Sequence, residues 1–229
     1  MRDLRAKIER VRGEIAEAAA RAGRDPSAVT LIAVSKTRPA EDIAEAIAAG
    51  IEQVGENRVQ EAADKHGRVR ELLGHDPHWH LIGTLQRNKC RQALGLFSMI
   101  QSVDSVRLAE ALSARSEANR VPILLEVYVG DDPDRPGFSP ASMREALPVI
   151  AALPGLDVRG LMTVAPLGLD TAKTQLVFRD LRELRDGLQE QHPHLTLDQL
   201  SMGMSNDYAL AIAEGATMVR VGRAIFGER

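Results

Sequence analysis

The chain has 229 residues, 29 Lys and Arg against 32 Asp and Glu for a formal net charge of −3, and 44% hydrophobic residues. It is long enough to bury a sizeable core, and its length suits one α/β barrel or two smaller domains. The near-neutral charge argues against a dedicated nucleic-acid binder, the one cysteine (Cys90) excludes an intramolecular disulfide and a cysteine-rich zinc module, and no apolar run reaches the roughly 20 residues of a membrane span.

Residues 1–23 read as a helix. Leu4, Ile8, Val11 and Ile15 fall at helical spacing between charges, and Gly23 is a suitable stop. The same stretch lacks the apolar centre of a signal peptide, so a cytoplasmic location is expected. Eight short apolar runs follow: Val29–Val34, Ile51–Gly55, His78–Gly83, Phe97–Val103, Val121–Val129, Leu156–Met162, Leu197–Met202 and Thr217–Val221. Several are nearly continuous in apolar or β-branched residues, as strands covered on both faces require.

The stretches between these runs are amphipathic. Pro39 with Glu41 and Asp42 suits a first helical turn, and Ile43 and Ile47 follow one turn apart. Asp104 is a candidate cap for a helix carrying Leu108 and Leu112. Ser139 and Pro140 suit an N-cap and first helical position, with Pro148 making that helix irregular. Val177, Leu181, Leu184 and Leu188 form an apolar stripe after Thr171. Strand then helix, eight times over with short connections, predicts a single-domain (β/α)8 barrel over residues 1–229 preceded by an extra N-terminal helix. An open doubly wound sheet is the alternative. No Pro-rich or Ser-rich linker divides the chain, and residues 130–136 (GDDPDRP) form the most conspicuous polar loop.

In such a barrel the chemistry lies at the carboxyl ends of the strands. Lys36 ends the first strand, after an apolar stretch that should bury part of its stem. A desolvated amine is the nucleophile a Schiff base needs, although a solvated lysine at a strand end is the commoner case. The segment from Ser201 to Arg223 holds two tight turns after the seventh and eighth strands. Gly203 and Ser205 precede one helix, and Gly222 and Arg223 open another. Backbone N–H groups at these two places make the usual phosphate site of the fold, while turns that simply need glycine are the structural alternative. Arg220, alternating with Val219 and Val221, should point into the barrel. It therefore needs an acceptor, either a carboxylate such as Glu126 or Asp198 or a ligand atom.

Other signals are weaker. His78 and His80 share a strand face without a third ligand, so a metal site is not expected. Asp131, Asp132 and Asp134 lack calcium-loop spacing and suit a solvated loop. Lys89 and Arg91 flank Cys90 and would favour its thiolate, but no base is placed beside it. No Walker A or dinucleotide fingerprint is present, and Arg87, Lys89 and Arg91 are too few for a nucleic-acid surface.

The segments AVSKT (33–37), GENRVQE (55–61), WHLIGTLQRNK (79–89), GLMTVAP (160–166), LSMGMSNDYALAI (200–212) and VRVGRAIFG (219–227) occur in one order over nearly the whole chain. Together they resemble the pyridoxal phosphate homeostasis protein family. The resemblance implies the fold type III barrel of the alanine racemase N-terminal domain and binding of pyridoxal 5′-phosphate (PLP) as a Schiff base on Lys36. It further implies Asn57 beside the cofactor and the phosphate held by Ser205 and the amides of Gly222 and Arg223. Ser201 would lie close by, and Arg220 would face the pyridine nitrogen. The family has no established catalytic turnover and is associated with holding or delivering PLP, which makes PLP-dependent apoenzymes candidate partners. A monomer is expected, with a dimer as the alternative. Two departures stand out: Thr84 replaces a common histidine, and Arg223 a common serine or threonine.

Two other functions use the same residues. A PLP-dependent racemase or decarboxylase would need a second acid/base group opposite Lys36. In alanine racemase relatives a tyrosine from an additional domain serves, and neither Tyr128 nor Tyr208 matches it; the chain's end after the eighth strand leaves no such domain expected. A Schiff-base aldolase would use the lysine without a cofactor, which the set of motifs disfavours.

Overall fold

Each apolar run is followed by a segment that carries the chain back to the same end of the sheet, so successive strands lie parallel. The computed structural model describes residues 2–116, 120–130 and 135–228. In chain order its principal elements are α1 Arg2–Arg21, β1 Thr30–Val34, α2 Ala40–Ala48, β2 Gln53–Glu56, α3 Val59–Leu73, β3 His78–Leu81, α4 Cys90–Leu94 and β4 Met99–Val103. They continue with α5 Val106–Ser113, β5 Val121–Glu126, α6 Pro140–Ala151, β6 Leu156–Met162, α7 Thr171–Gln191, β7 Gln199–Met204, α8 Tyr208–Ala213, β8 Met218–Val221 and α9 Arg223–Phe226. Strand order follows chain order, and β8 returns to pair with β1 from Thr30–Met218 to Ala33–Val221. The sheet is therefore a closed barrel rather than an open one, and closure leaves no unpaired edge.

Several strands are shorter than their apolar runs. Ile51 packs ahead of β2 instead of joining it, and β5 stops at Glu126. The cap of α5 is Ser105, whose side chain accepts from Leu108 N–H, not Asp104 as the sequence suggests. Asp104 instead accepts a 3.0 Å hydrogen bond from the Ser105 hydroxyl. Ser139 caps α6 as expected, and Pro148 is accommodated inside that helix. Asp170, just before Thr171, caps α7 by accepting from Lys173 N–H. Asp131, Asp132 and Asp134 of the polar loop lie outside the described residues.

Burial divides between two places. The larger apolar cluster lies between strands and helices and includes the whole Val177–Leu188 stripe. The barrel interior is filled by Ile32, Leu124, Met162 and Met218, alongside the buried polar residues His80, Gln101, Ser201 and Arg220. Helix α1 buries Ile8, Val11 and Ile15 against its own barrel, next to α8 and α9. The following Arg24 donates to the carbonyls of Ile212 and Ala216 at 2.8 Å each, and Tyr208 donates its hydroxyl proton to Glu14.

Gly160 marks a register shift between β5 and β6. It has φ 150°, and a Cβ there would stand 1.9 Å from the Gln199 carbonyl oxygen. Gly160→Ala is expected to cost roughly 3 kcal/mol of stability, from strain and the forced separation of β6 from β7. Urea unfolding checks this; an unchanged midpoint would contradict it.

Candidate functional site

The turns after β7 and β8 and the ends of β1, β2, β3 and β6 line a cavity of about 850 Å³ at the carboxyl rim of the barrel. That is a volume suited to a small organic ligand. Lys36 after β1, Asn57 after β2, Ser205 after β7, Arg220 on β8, and Gly222 and Arg223 after β8 all line it. Thus six of the seven residues singled out in the sequence meet at one place. The seventh, Ser201, lies beneath the wall and holds Arg220. Thr84 is exposed and is not part of the lining.

Lys36 is half-buried, and among the described residues its amine has no hydrogen-bond or ion-pair partner. The backbone that presents it is firmly held. Thr37, the next residue, has φ 64°, an uncommon conformation for a β-branched residue. Its N–H donates to the Glu61 carboxylate. Lys65 reaches the same turn from α3, donating to the Ser35 carbonyl at 3.0 Å, Glu56 Oε1 at 2.9 Å and Glu61 Oε1 at 2.6 Å. The Ser35 hydroxyl donates to Glu56 Oε1 at 2.6 Å. Burial pushes the Glu56 carboxyl up, with Ser35 and Lys65 opposing. Burial would also raise Glu61, but its bonds to Lys65 and Thr37 bring it below its ordinary value. Glu56, Glu61 and Lys65 carry no role expected from the sequence, where a Glu61–Lys65 spacing of one helical turn is the available signal.

Arg220 is 3% exposed. It donates from Nη1 to Ser201 Oγ at 2.6 Å and from Nη2 to the Thr163 carbonyl at 2.7 Å. Burial lowers its pKa to about 10, opposed by the charges of Glu126 and Asp207, so it stays cationic at neutral pH. Of the two expected acceptors, Glu126 acts through its charge, whereas Asp198 is bound to Arg159 at the opposite end of the barrel's strands. Asp207 belongs to the cavity wall, but its carboxylate is occupied by the Met204 N–H at 2.5 Å.

The two turns expected to bind phosphate approach each other, since Ala224 N–H donates to Ser205 Oγ at 3.5 Å. The N–H groups of Gly222 and Arg223 find no acceptor among the described residues. Gly222 packs close to β1, where a Cβ would lie 3.3 Å from the Val34 carbonyl oxygen. The lining carries the cationic side chains Lys36, Arg220 and Arg223 and two carboxylates, Asp207 and Glu228. The donor set consists of a free amine, a buried cation and unpaired amides. It fits a small anionic ligand carrying a group that condenses with amines.

Cys90 departs from expectation. Burial raises its thiol pKa, outweighing the opposing charges of Arg115 and Arg87. His78 is exposed while His80 points into the barrel, and the described residues contain no group of three or more metal-ligating side chains. No described helix is long and apolar enough to cross a membrane.

The fold and its rim define a barrel of the alanine racemase N-terminal-domain class, whose family model matches residues 7–229. The chain is 41% identical over 231 residues to the pyridoxal phosphate homeostasis protein of Escherichia coli (strain K12), covering 100% of this chain and 98% of that one. PipY of Synechococcus elongatus PCC7942, solved without PLP and with PLP bound, is 47% identical over 93% of this chain and 100% of its own, with TM-scores of 0.84 and 0.82. An alanine racemase of Clostridium difficile 630 shares the fold alone, at 13% identity and a TM-score of 0.72 over 100% of this chain and 57% of that one. The chain belongs to the pyridoxal phosphate homeostasis protein family.

Glu126, outside the cavity lining but coupled by charge to Arg220, titrates near neutrality. Burial raises its pKa to about 7, with Asp104 adding to the shift and Arg220 and Arg135 opposing it. The unfolded chain releases this proton near its ordinary value of 4.5. The stability this carboxyl contributes is therefore present below that pH and lost as pH rises through 7. Glu126→Gln should match the parent at pH 4.5 and exceed it by about 1–3 kcal/mol at pH 8, as read from urea unfolding at both pH values. Equal stability at pH 8 would contradict this assignment.

Proposed function

We propose that this protein binds pyridoxal 5′-phosphate in the rim cavity and serves its homeostasis, holding or delivering the cofactor through a Schiff base on Lys36. The observation that carries this reading is the meeting of an unpaired Lys36 amine, a buried Arg220 cation and the free amides of Gly222 and Arg223 around one cavity. PipY, its 47% identical relative, has been solved with PLP bound.

Each group has a defined task. Ser205 and the amides of Gly222 and Arg223 hold the phosphate dianion at the junction of the two turns. Asn57 flanks the ring, and Arg220 faces its nitrogen. Ser201 serves indirectly by fixing Arg220. The bound cofactor supplies an aldehyde that condenses reversibly with the Lys36 amine, releasing water. Because Arg220 stays cationic, it opposes proton gain by a ring nitrogen beside it.

Holding or delivery is favoured over amino-acid turnover. A racemase needs acid/base groups on both faces of the substrate carbon. Lys36 is one such group, but no histidine or tyrosine is among the described lining residues. Tyr208 donates to Glu14 on α1, and the Tyr128 ring lies under Arg135 at 5.6 Å. The rim is the face to which PLP-dependent apoenzymes would come.

Purified protein loaded with PLP should absorb visible light and yield a borohydride-fixed adduct on Lys36. Lys36→Ala should lose both while retaining weaker binding through the phosphate turns. Ser205→Ala should weaken binding by about 1–3 kcal/mol, measured by equilibrium dialysis. A parent protein that stays colourless with added PLP would remove the cofactor reading. Transfer of bound PLP to an apoenzyme while a scavenger consumes the free cofactor supports delivery; robust racemisation of an amino acid by the pure protein would favour the enzyme instead.

A further inference from the structure

A continuous polar string crosses the barrel interior beneath the cavity. Arg220 Nη1 donates to Ser201 Oγ at 2.6 Å, and Ser201 Oγ donates to Gln101 Oε1 at 2.6 Å. Gln101 Nε2 donates to His80 Nδ1 at 2.9 Å, and His80 Nε2 donates to Gln53 Oε1 at 2.7 Å. Ser201 and Gln101 are fully buried, and His80 is 4% exposed. The five residues come from β8, β7, β4, β3 and β2 in turn. Gln101 Nε2 also points a hydrogen at the Met218 sulfur at 3.5 Å.

One proton assignment satisfies this string. Arginine only donates, so Ser201 Oγ must accept from it and pass its own proton to Gln101 Oε1. That commits the Gln101 amide hydrogens to His80 Nδ1. His80 must then be the neutral tautomer protonated on Nε2. Burial supports this, lowering the His80 pKa to about 4, with His78 adding to the effect. Apolar side chains would fill the same volume without any polar group to satisfy. The upper end of the string is the cation that lines the cavity.

We infer that Gln101 and His80 are positioning residues: through Ser201 they fix the Arg220 guanidinium at the cavity floor, and so keep the ring nitrogen of the bound cofactor unprotonated. This rests on the reading that PLP binds with its ring nitrogen toward Arg220. A purely space-filling role for the string would leave the proton state of that nitrogen untouched.

The test uses PLP labelled with ¹⁵N in the ring, bound to the full chain at neutral pH. In the parent the nitrogen resonance should fall at the unprotonated position. Gln101→Leu and His80→Leu should each move it toward the protonated position, with Gln101→Leu, one link nearer to Arg220, moving it further. His80→Gln, which keeps a donor and an acceptor, should restore part of the parent shift. Parent-like resonances in both leucine variants with PLP still bound would overturn the inference. Arg220→Gln separates the premises: if PLP binds there with an unmoved resonance, Arg220 does not face the ring and the cofactor orientation itself is wrong. Should the leucine variants fail to fold, the His80 tautomer in the parent decides. An Nε2-protonated ring whose nitrogen shifts respond to PLP loading supports the string, and an Nδ1-protonated ring, or one indifferent to loading, overturns it.

Discussion

A cation held almost out of water's reach sets the terms for the rest of this barrel. Arg220 is 3% exposed on β8, and an uncompensated charge there would be strongly destabilising. Among the described residues its two hydrogen bonds go to neutral acceptors, Ser201 Oγ and the Thr163 carbonyl, while Glu126 and Asp207 act on it through charge. Neutral acceptors orient the guanidinium without cancelling its charge. The result is a positive group with a defined direction in a cavity that also holds a free amine. Such a group influences a ligand's proton state more than one neutralised by a contacting carboxylate.

The lysine turn is organised by the opposite strategy. Here the charges are paired: Lys65 sits between Glu56 and Glu61, and together they hold the backbone of Ser35 and Thr37. A β-branched residue at φ 64° carries a conformational cost of order 1–3 kcal/mol. Ion pairs behind the turn offset that cost and leave Lys36 itself free. One side of the cavity is thus stiffened by salt bridges that face away from it, and the other by neutral hydrogen bonds that run beneath it.

The same barrel recurs in an alanine racemase at 13% identity, so the strand order by itself does not specify a chemistry. What differs between a cofactor holder and a racemase is the set of groups placed around the reacting carbon. In the described lining that set is rich in anion-binding donors and contains one free amine. These groups suit a ligand that carries both a phosphate and an aldehyde.

The alternation of apolar runs with amphipathic stretches was enough to read eight strands, because strands buried on both faces and helices buried on one leave distinct periods in the chain. Lys36, Ser205, Arg220, Gly222 and Arg223 could be singled out because strand ends on one rim of a parallel barrel necessarily face the same space, whereas Asn57 was marked only by the resemblance of the GENRVQE segment to the family. Ser105 and Asp104 were harder to tell apart, since adjacent polar residues before a helix are equally plausible caps until the backbone chooses. The Cys90 thiol does not follow the basic residues beside it in the chain, because sequence neighbours reveal charge but not burial. Nothing local linked Ser201 to Gln101, which lies 100 residues away, or Gln101 to His80. Those partners were decided by tertiary structure, the pairing of β3 with β4 for His80 and Gln101 and barrel closure for Gln101 and Ser201, because a closed sheet turns alternate residues of distant strands into one interior where each buried donor must find its acceptor.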